Sequence, residues 1–69
     1  MTQKEMILQY IDDFGSITPM DAFADLGITR LASRIHEIRQ YQPIAGEMIT
    51  SRNRYGKTVH FMRYTRAVK

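Results

Sequence analysis

The sequence predicts an α+β chain, three helices followed by a C-terminal β-hairpin, on three observations. Helix starts and stops are marked by Thr2, Gly15, Thr18-Pro19 and Gly27. From Ile44 onward the apolar residues change from helical spacing to alternation. The charge changes sign where the second helix should end. Residues 1–28 hold Lys4 against Glu5, Asp12, Asp13, Asp21 and Asp25, which is 1 − 5 = −4, whereas residues 29–69 hold nine bases against Glu37 and Glu47, which is 9 − 2 = +7.

Sixty-nine residues suffice for one domain, expected to span 1–69. With 43% hydrophobic and 25% charged residues the chain falls in the globular range, although so small a core leaves little net stability. No cysteine is present, so disulfides and thiolate metal sites are excluded and a reducing compartment, the cytoplasm, is expected. The longest aliphatic run, Met6-Ile7-Leu8, is far short of the ~20 residues of a membrane span, and no basic-then-apolar leader is visible. The expectation is a chain neither exported nor inserted.

Thr2 followed by Glu5 is a capping box, and Met6, Ile7, Tyr10, Ile11 and Phe14 form one apolar stripe behind it. A helix is therefore expected over 3–14, with Leu8 on its flank as a partly exposed residue. Gly15 closes it, and Ser16-Ile17 makes a short extended link. Thr18-Pro19 is an N-cap with proline at the first helical position, and Asp21 favours the positive helix end. This two-turn helix is expected to bury Met20, Ala22, Phe23 and Leu26 before Gly27 stops it. Ile28 fills the corner, Thr29 is the expected cap of a third helix, and Leu31, Ile35 and Ile38 recur on one side of it. That helix is expected over 30–40.

Ile44, Gly46, Met48 and Thr50 then alternate with Ala45, Glu47 and Ile49, and 58–65 is rich in β-branched and aromatic residues. These make two strands, joined by a loop over 51–57. Tyr10, Phe14, Phe23, Phe61 and Tyr64 fall on apolar faces and are expected in the core. His60 is expected on the solvent side. The resulting order of helix, short strand, helix, helix, strand, loop and strand is that of a winged helix.

Gly15-Ser16-Ile17-Thr18, Ala22-Phe23, Leu26-Gly27-Ile28, Arg30-Leu31-Ala32-Ser33-Arg34-Ile35, Ile38-Arg39 and Asn53-Arg54-Tyr55-Gly56-Lys57 together resemble a family of small winged helix-turn-helix proteins common in prophages and other mobile elements. The resemblance covers nearly the whole chain and implies the fold and DNA binding. The chain departs from the pattern at Gln40-Tyr41-Gln42-Pro43, where a glycine-containing turn is expected, and at His36-Glu37 near the outer side of the third helix.

With Leu31, Ile35 and Ile38 facing inward, Arg30, Ser33, Glu37 and Gln40 point outward, with Arg34 and His36 on the shoulders. Thr29, Arg30, Ser33 and Arg34 sit where a helix entering the major groove presents side chains to bases. Glu37 has two readings, an acceptor for cytosine or an ion-pair partner of Arg34 three residues away. Arg52, Arg54 and Lys57 lie close together around Tyr55, with Arg63 on the following strand, an arrangement suited to phosphates or a minor groove. Arg66 and Lys69 are expected to form a frayed basic tail.

Only two histidines occur, with no carboxylate at ligand spacing, so no metal and no cofactor is expected. No serine has a histidine-plus-acid set around it and no glycine-rich phosphate loop occurs, so no enzyme is expected. The expected partner is double-stranded DNA, bound by a small regulator of the phage or mobile-element type, with a homodimer or partner protein supplying further contacts. A protein-binding adaptor or antirepressor is the alternative reading, and structured RNA a third.

Overall fold

The computed structural model describes residues 1–67, so Lys69 of the expected tail lies outside the described residues. Three helices, α1 (Gln3–Phe14), α2 (Pro19–Leu26) and α3 (Leu31–Ile38), precede two strands, β1 (Ile44–Arg52) and β2 (Thr58–Arg66).

Local chemistry fixes the first two helices. In α1 the Thr2 hydroxyl accepts from the Glu5 amide at 3.1 Å, and the Glu5 carboxylate accepts from the Thr2 amide at 2.8 Å. The bond from the Thr2 amide, followed by that from its hydroxyl, holds the Glu5 carboxyl below its ordinary range. Thr18 and Asp21 form the same reciprocal pair at α2, both bonds 3.1 Å long, with Pro19 in the first helical position. Both helices end on a glycine in the left-handed region, Gly15 at φ 91° and Gly27 at φ 69°.

β1 and β2 pair antiparallel from Ile44↔Arg66 to Arg52↔Thr58. Ile17, between α1 and α2, adds a single bridge to β2: its amide donates to the Tyr64 carbonyl and the Tyr64 amide to its own carbonyl, each at 2.9 Å. That bridge is the short strand the sequence predicts. It ties the helical half to the base of the hairpin.

Ile7, Ile11, Ile17, Ala22, Ile28, Leu31, Ile35, Ile38, Ile44 and Tyr64 form the buried core, with Met6, Leu8, Tyr10, Leu26 and Met62 packed at its edge. Burying an isoleucine contributes about 1.5–3 kcal/mol, so α3, with Leu31, Ile35 and Ile38 inward, is held chiefly by packing.

The apolar stripes of α1 and α2 are narrower than the sequence suggests. Phe14 is 71% exposed, Met20 71% and Phe23 60%, so none of the three belongs to the core. α2 has only two turns, and with Ala22 fully inward, Phe23 and Met20 are rotated roughly 100° and 160° away from the core. Phe14 lies in the last turn of α1, past Ile11, the last buried residue of that helix. Leu8, by contrast, is half-buried on the flank.

α3 differs at both ends from expectation. Arg30, not Thr29, occupies the N-cap position, and no side chain caps the helix. The helix stops at Ile38 rather than 40, and the next residues form a tightened turn: Gln40 donates to the Glu37 carbonyl at 3.2 Å and Tyr41 to that of Ile38 at 3.0 Å. Pro43 then precludes a further helical turn. The hairpin loop is also shorter than expected, 53–57, because pairing continues through Ser51 and Arg52.

Candidate nucleic-acid interface

Two exposed elements display the cations of the second half. The first is α3. Thr29, Arg30 and Ser33 are exposed at its start, and His36 is exposed one turn later. Because Arg30 provides no side-chain cap, the first-turn amides of α3 lack the intramolecular acceptor that Thr2 and Thr18 supply elsewhere. Such amides, at the positive end of the helix dipole, suit a phosphate oxygen.

Arg34 and Glu37 are paired, Nη1 donating to Oε1 at 2.9 Å, and Lys4 of α1 approaches the same oxygen at 3.7 Å. Arg34 is half-buried, and its Nε is buried without an acceptor. The ion pair is the second of the two readings of Glu37, and it partly neutralises this side of α3. Lys4 as a third member is not legible from periodicity, since it comes from another helix.

The second element is the wing. Its loop is held from within by Asn53, whose side-chain oxygen accepts from the amides of Tyr55 at 2.9 Å and Lys57 at 3.0 Å. The Gly56 amide donates to the Asn53 carbonyl at 3.0 Å, closing a turn. The side-chain oxygen of Asn53 is thus engaged inside the loop, and Arg54, Tyr55 and Lys57 are all exposed, Tyr55 to 87%. From the buried Ile44 to Arg52 are eight steps of about 3.3 Å, so the tip stands about 26 Å from the base of the hairpin. The molecule's longest extent is 39 Å.

The ion pairs sort the remaining cations. Arg63 pairs with Glu47 directly across the strands. Arg66 is no frayed tail: it ends β2, its Nη2 donates to Asp12 Oδ2 at 3.2 Å and its Nη1 to Gln42 at 3.1 Å. Its Nε also lies 2.7 Å from Asp12 Oδ1, close enough for charge attraction although the N–H is not directed at that oxygen. Arg39 donates from Nε to the Ile44 carbonyl at 3.1 Å and lies over the Tyr64 ring, 5.8 Å from its centroid. Arg39 and Arg66 therefore clasp the base of the hairpin. Among the described residues, no ion pair involves Arg30, Arg52, Arg54 or Lys57.

Those four are the cations left to meet an external anion. Three stand on the wing and one at the start of α3. Among the described residues there is no group of three His, Cys, Asp or Glu side chains that could hold a metal ion, and no helix long and apolar enough to cross a membrane.

No curated protein and no solved structure matches the chain. A family described as a winged helix-turn-helix domain matches residues 2–66, from the cap of α1 to the end of β2. Domains of this kind are typically DNA-binding and not enzymes. The charge-sorted architecture and that match together place the chain in the winged helix-turn-helix domain family.

Proposed function

We propose that this protein binds double-stranded DNA with α3 in the major groove and the wing, 53–57, on the adjacent backbone or minor groove. The carrying observation is the sorting of the cations: among the described residues Arg30, Arg52, Arg54 and Lys57 are exposed and in no ion pair, whereas Arg34, Arg63 and Arg66 are paired and Arg39 is held by the Ile44 carbonyl and the Tyr64 ring. Unpaired cations on a projecting loop contact phosphates and set orientation, while Arg30 and Ser33 at the start of α3 are the candidates for base edges, arginine bonding guanine through two donors. Thr29 and Tyr55 add polar contacts at each element. Arg34, Glu37 and Arg63 stand at the margin, their charge partly satisfied within the chain.

The finer reading is a small cytoplasmic regulator of the phage or mobile-element type, supported by Leu26-Gly27-Ile28 and Arg54-Tyr55-Gly56-Lys57. One domain of this size reads few base pairs, so two copies on a palindrome, or a partner protein, complete the site.

The test is fluorescence anisotropy with a random duplex over a range of salt. If the four cations each neutralise one phosphate, log Kd varies with log salt with a slope of magnitude about 3.6, and Arg54→Ala lowers it by about 0.9. A flat salt response removes the phosphate contacts from the proposal. A second reading, a protein-binding adaptor or antirepressor, is favoured by the exposure of Phe14, Met20 and Phe23 and predicts no binding to duplex DNA. Preference for an RNA duplex in the same assay points to structured RNA.

A further inference from the structure

We propose that the groove between α1 and α2 receives the wing tip of a second copy of this chain, with Tyr55 entering beside Met6 and Phe14 and its neighbouring cations meeting Asp13 and Asp25. The groove has a volume of about 580 Å³, and Met6, Tyr10, Phe14 and Leu26 line it with Asp13 and Asp25. The Phe14 ring, 71% exposed, is held by the Tyr10 ring at a centroid separation of 4.6 Å, so an apolar wall stands open to water.

The acids of the first half identify the occupant. Glu5 and Asp21 are bound in capping boxes and Asp12 is paired with Arg66. Asp13 accepts from the Gln9 amide at 2.9 Å and Asp25 from the Tyr10 hydroxyl at 2.5 Å, both neutral donors, so their charges are uncompensated among the described residues. Glu5 and Asp21, also held by neutral donors, lie in helix first turns, where the dipole favours a negative charge. Asp13 and Asp25 lie in last turns, where it does not, and both line the one groove. On the wing the pattern is inverted, with the 87%-exposed Tyr55 close in sequence to Arg54 and Lys57, which among the described residues are in no ion pair. An exposed aromatic ring on a cationic loop complements an apolar groove bearing carboxylates in shape class and in sign.

Each copy has one wing and one groove, so the contact closes as a reciprocal two-fold pair or propagates head to tail, and the stoichiometry in solution tells which. A single loop in a groove buries far less than the roughly 1,200–2,000 Å² of a stable interface, so the association is weak and strongest at low salt. Because a wing seated in a neighbour cannot also lie on a duplex, DNA disperses the assembly; that last point rests on the reading under Proposed function.

Sedimentation equilibrium of the whole chain at low and high salt tests the contact. The wild type is expected to associate with rising concentration at low salt and to dissociate at high salt. Asp13→Arg and Arg54→Glu each lower the association constant by about tenfold, and the double variant, with the charges exchanged, recovers most of it. Phe14→Ser removes the apolar wall at an exposed position and also abolishes association, with helical circular dichroism confirming the fold. A wild type that stays monomeric at every concentration at low salt overturns the proposal, as do single variants that associate normally or a charge exchange that fails to recover. Random-duplex binding by Phe14→Ser separates the two readings: DNA binding persists when only the groove is lost, and self-association without any DNA binding removes the DNA reading while leaving this one standing.

Discussion

The Tyr10 hydroxyl donates to Asp25 Oδ2 at 2.5 Å, joining α1 to α2 across fifteen positions of sequence. The bond favours the protonated phenol, because a phenolate cannot donate and would face a carboxylate. It pushes Tyr10 up to about 12, with partial burial and then the charges of Asp21 and Asp25 acting in the same direction. The native chain keeps this proton where the unfolded chain loses it. The stabilisation is therefore intact below the ordinary tyrosine value of about 10 and is lost as pH rises toward 12. Ultraviolet titration of tyrosinate should show one of the four tyrosines ionising last, and Tyr10→Phe should delete that late step. A single step near 10, with helical circular dichroism still intact, contradicts the bond.

Glu37 restrains two cations at once, Arg34 at 2.9 Å and Lys4 at 3.7 Å, on the side of α3 next to the proposed duplex. Both pairs are substantially exposed, and exposed pairs contribute only about 0–1 kcal/mol, so Glu37→Gln should leave the melting temperature nearly unchanged. The buried Nε of Arg34 has no acceptor, which makes its present pose easy to leave for a phosphate. Glu37→Gln should therefore tighten random-duplex binding and steepen the salt slope by about 0.9 for each arginine or lysine released to a phosphate. Weaker binding to a selected sequence alone, with the random-duplex slope unchanged, would identify Glu37 as a reader of cytosine instead.

What was legible in the sequence was what adjacent residues decide. Thr2 with Glu5, and Thr18 with Pro19 and Asp21, fix two helix starts within four positions, and Gly15 and Gly27 fix their ends, so α1 and α2 fall where the sequence places them. The Leu31, Ile35 and Ile38 face was equally readable because helical period alone defines it. Periodicity gives direction but not depth. It places Phe14, Met20 and Phe23 on apolar arcs, yet whether an arc reaches the core depends on what packs opposite, and all three stay largely exposed.

The cations show the same limit at longer range. Arg34 and Glu37 are three apart on one helix and could be paired on paper, whereas Arg66 and Asp12 are fifty-four positions apart and meet only because Ile17 bridges β2 beside the end of α1. A basic C-terminal run looks like a tail until the fold brings a carboxylate to it. Arg39 likewise counts among the nine bases of the second half, although its guanidinium is spent on Tyr64 and the Ile44 carbonyl. Counting charge by halves of the sequence therefore overstated the cation supply of the second half, and the ion pairs reduced it to the wing and the start of α3.

Gly46 is the position where the clasp at the base of the hairpin can be tested directly. It lies opposite Tyr64, and a Cβ there would stand 2.9 Å from Met62 Cε, 3.2 Å from Arg39 Nη2 and 3.4 Å from Tyr64 Cδ1. The end of the methionine can swing aside at little cost. Arg39 is less free, held at its Nε by the Ile44 carbonyl and over the Tyr64 ring. Alanine gains about 0.5–1 kcal/mol over glycine from lower backbone freedom in the unfolded chain, whereas overpacking a fitted site costs about 1–3 kcal/mol. The crowding should win, and Gly46→Ala should destabilise by about 1 kcal/mol, a fall of roughly 4–8 °C in melting temperature for a domain of this size. In an Arg39→Ala background the nearest restrained atom is gone, so the same alanine should become neutral or stabilising in a double-mutant cycle. Equal costs in both backgrounds would show that Arg39 does not hold this face, and that α3 and the hairpin are joined by the apolar core alone.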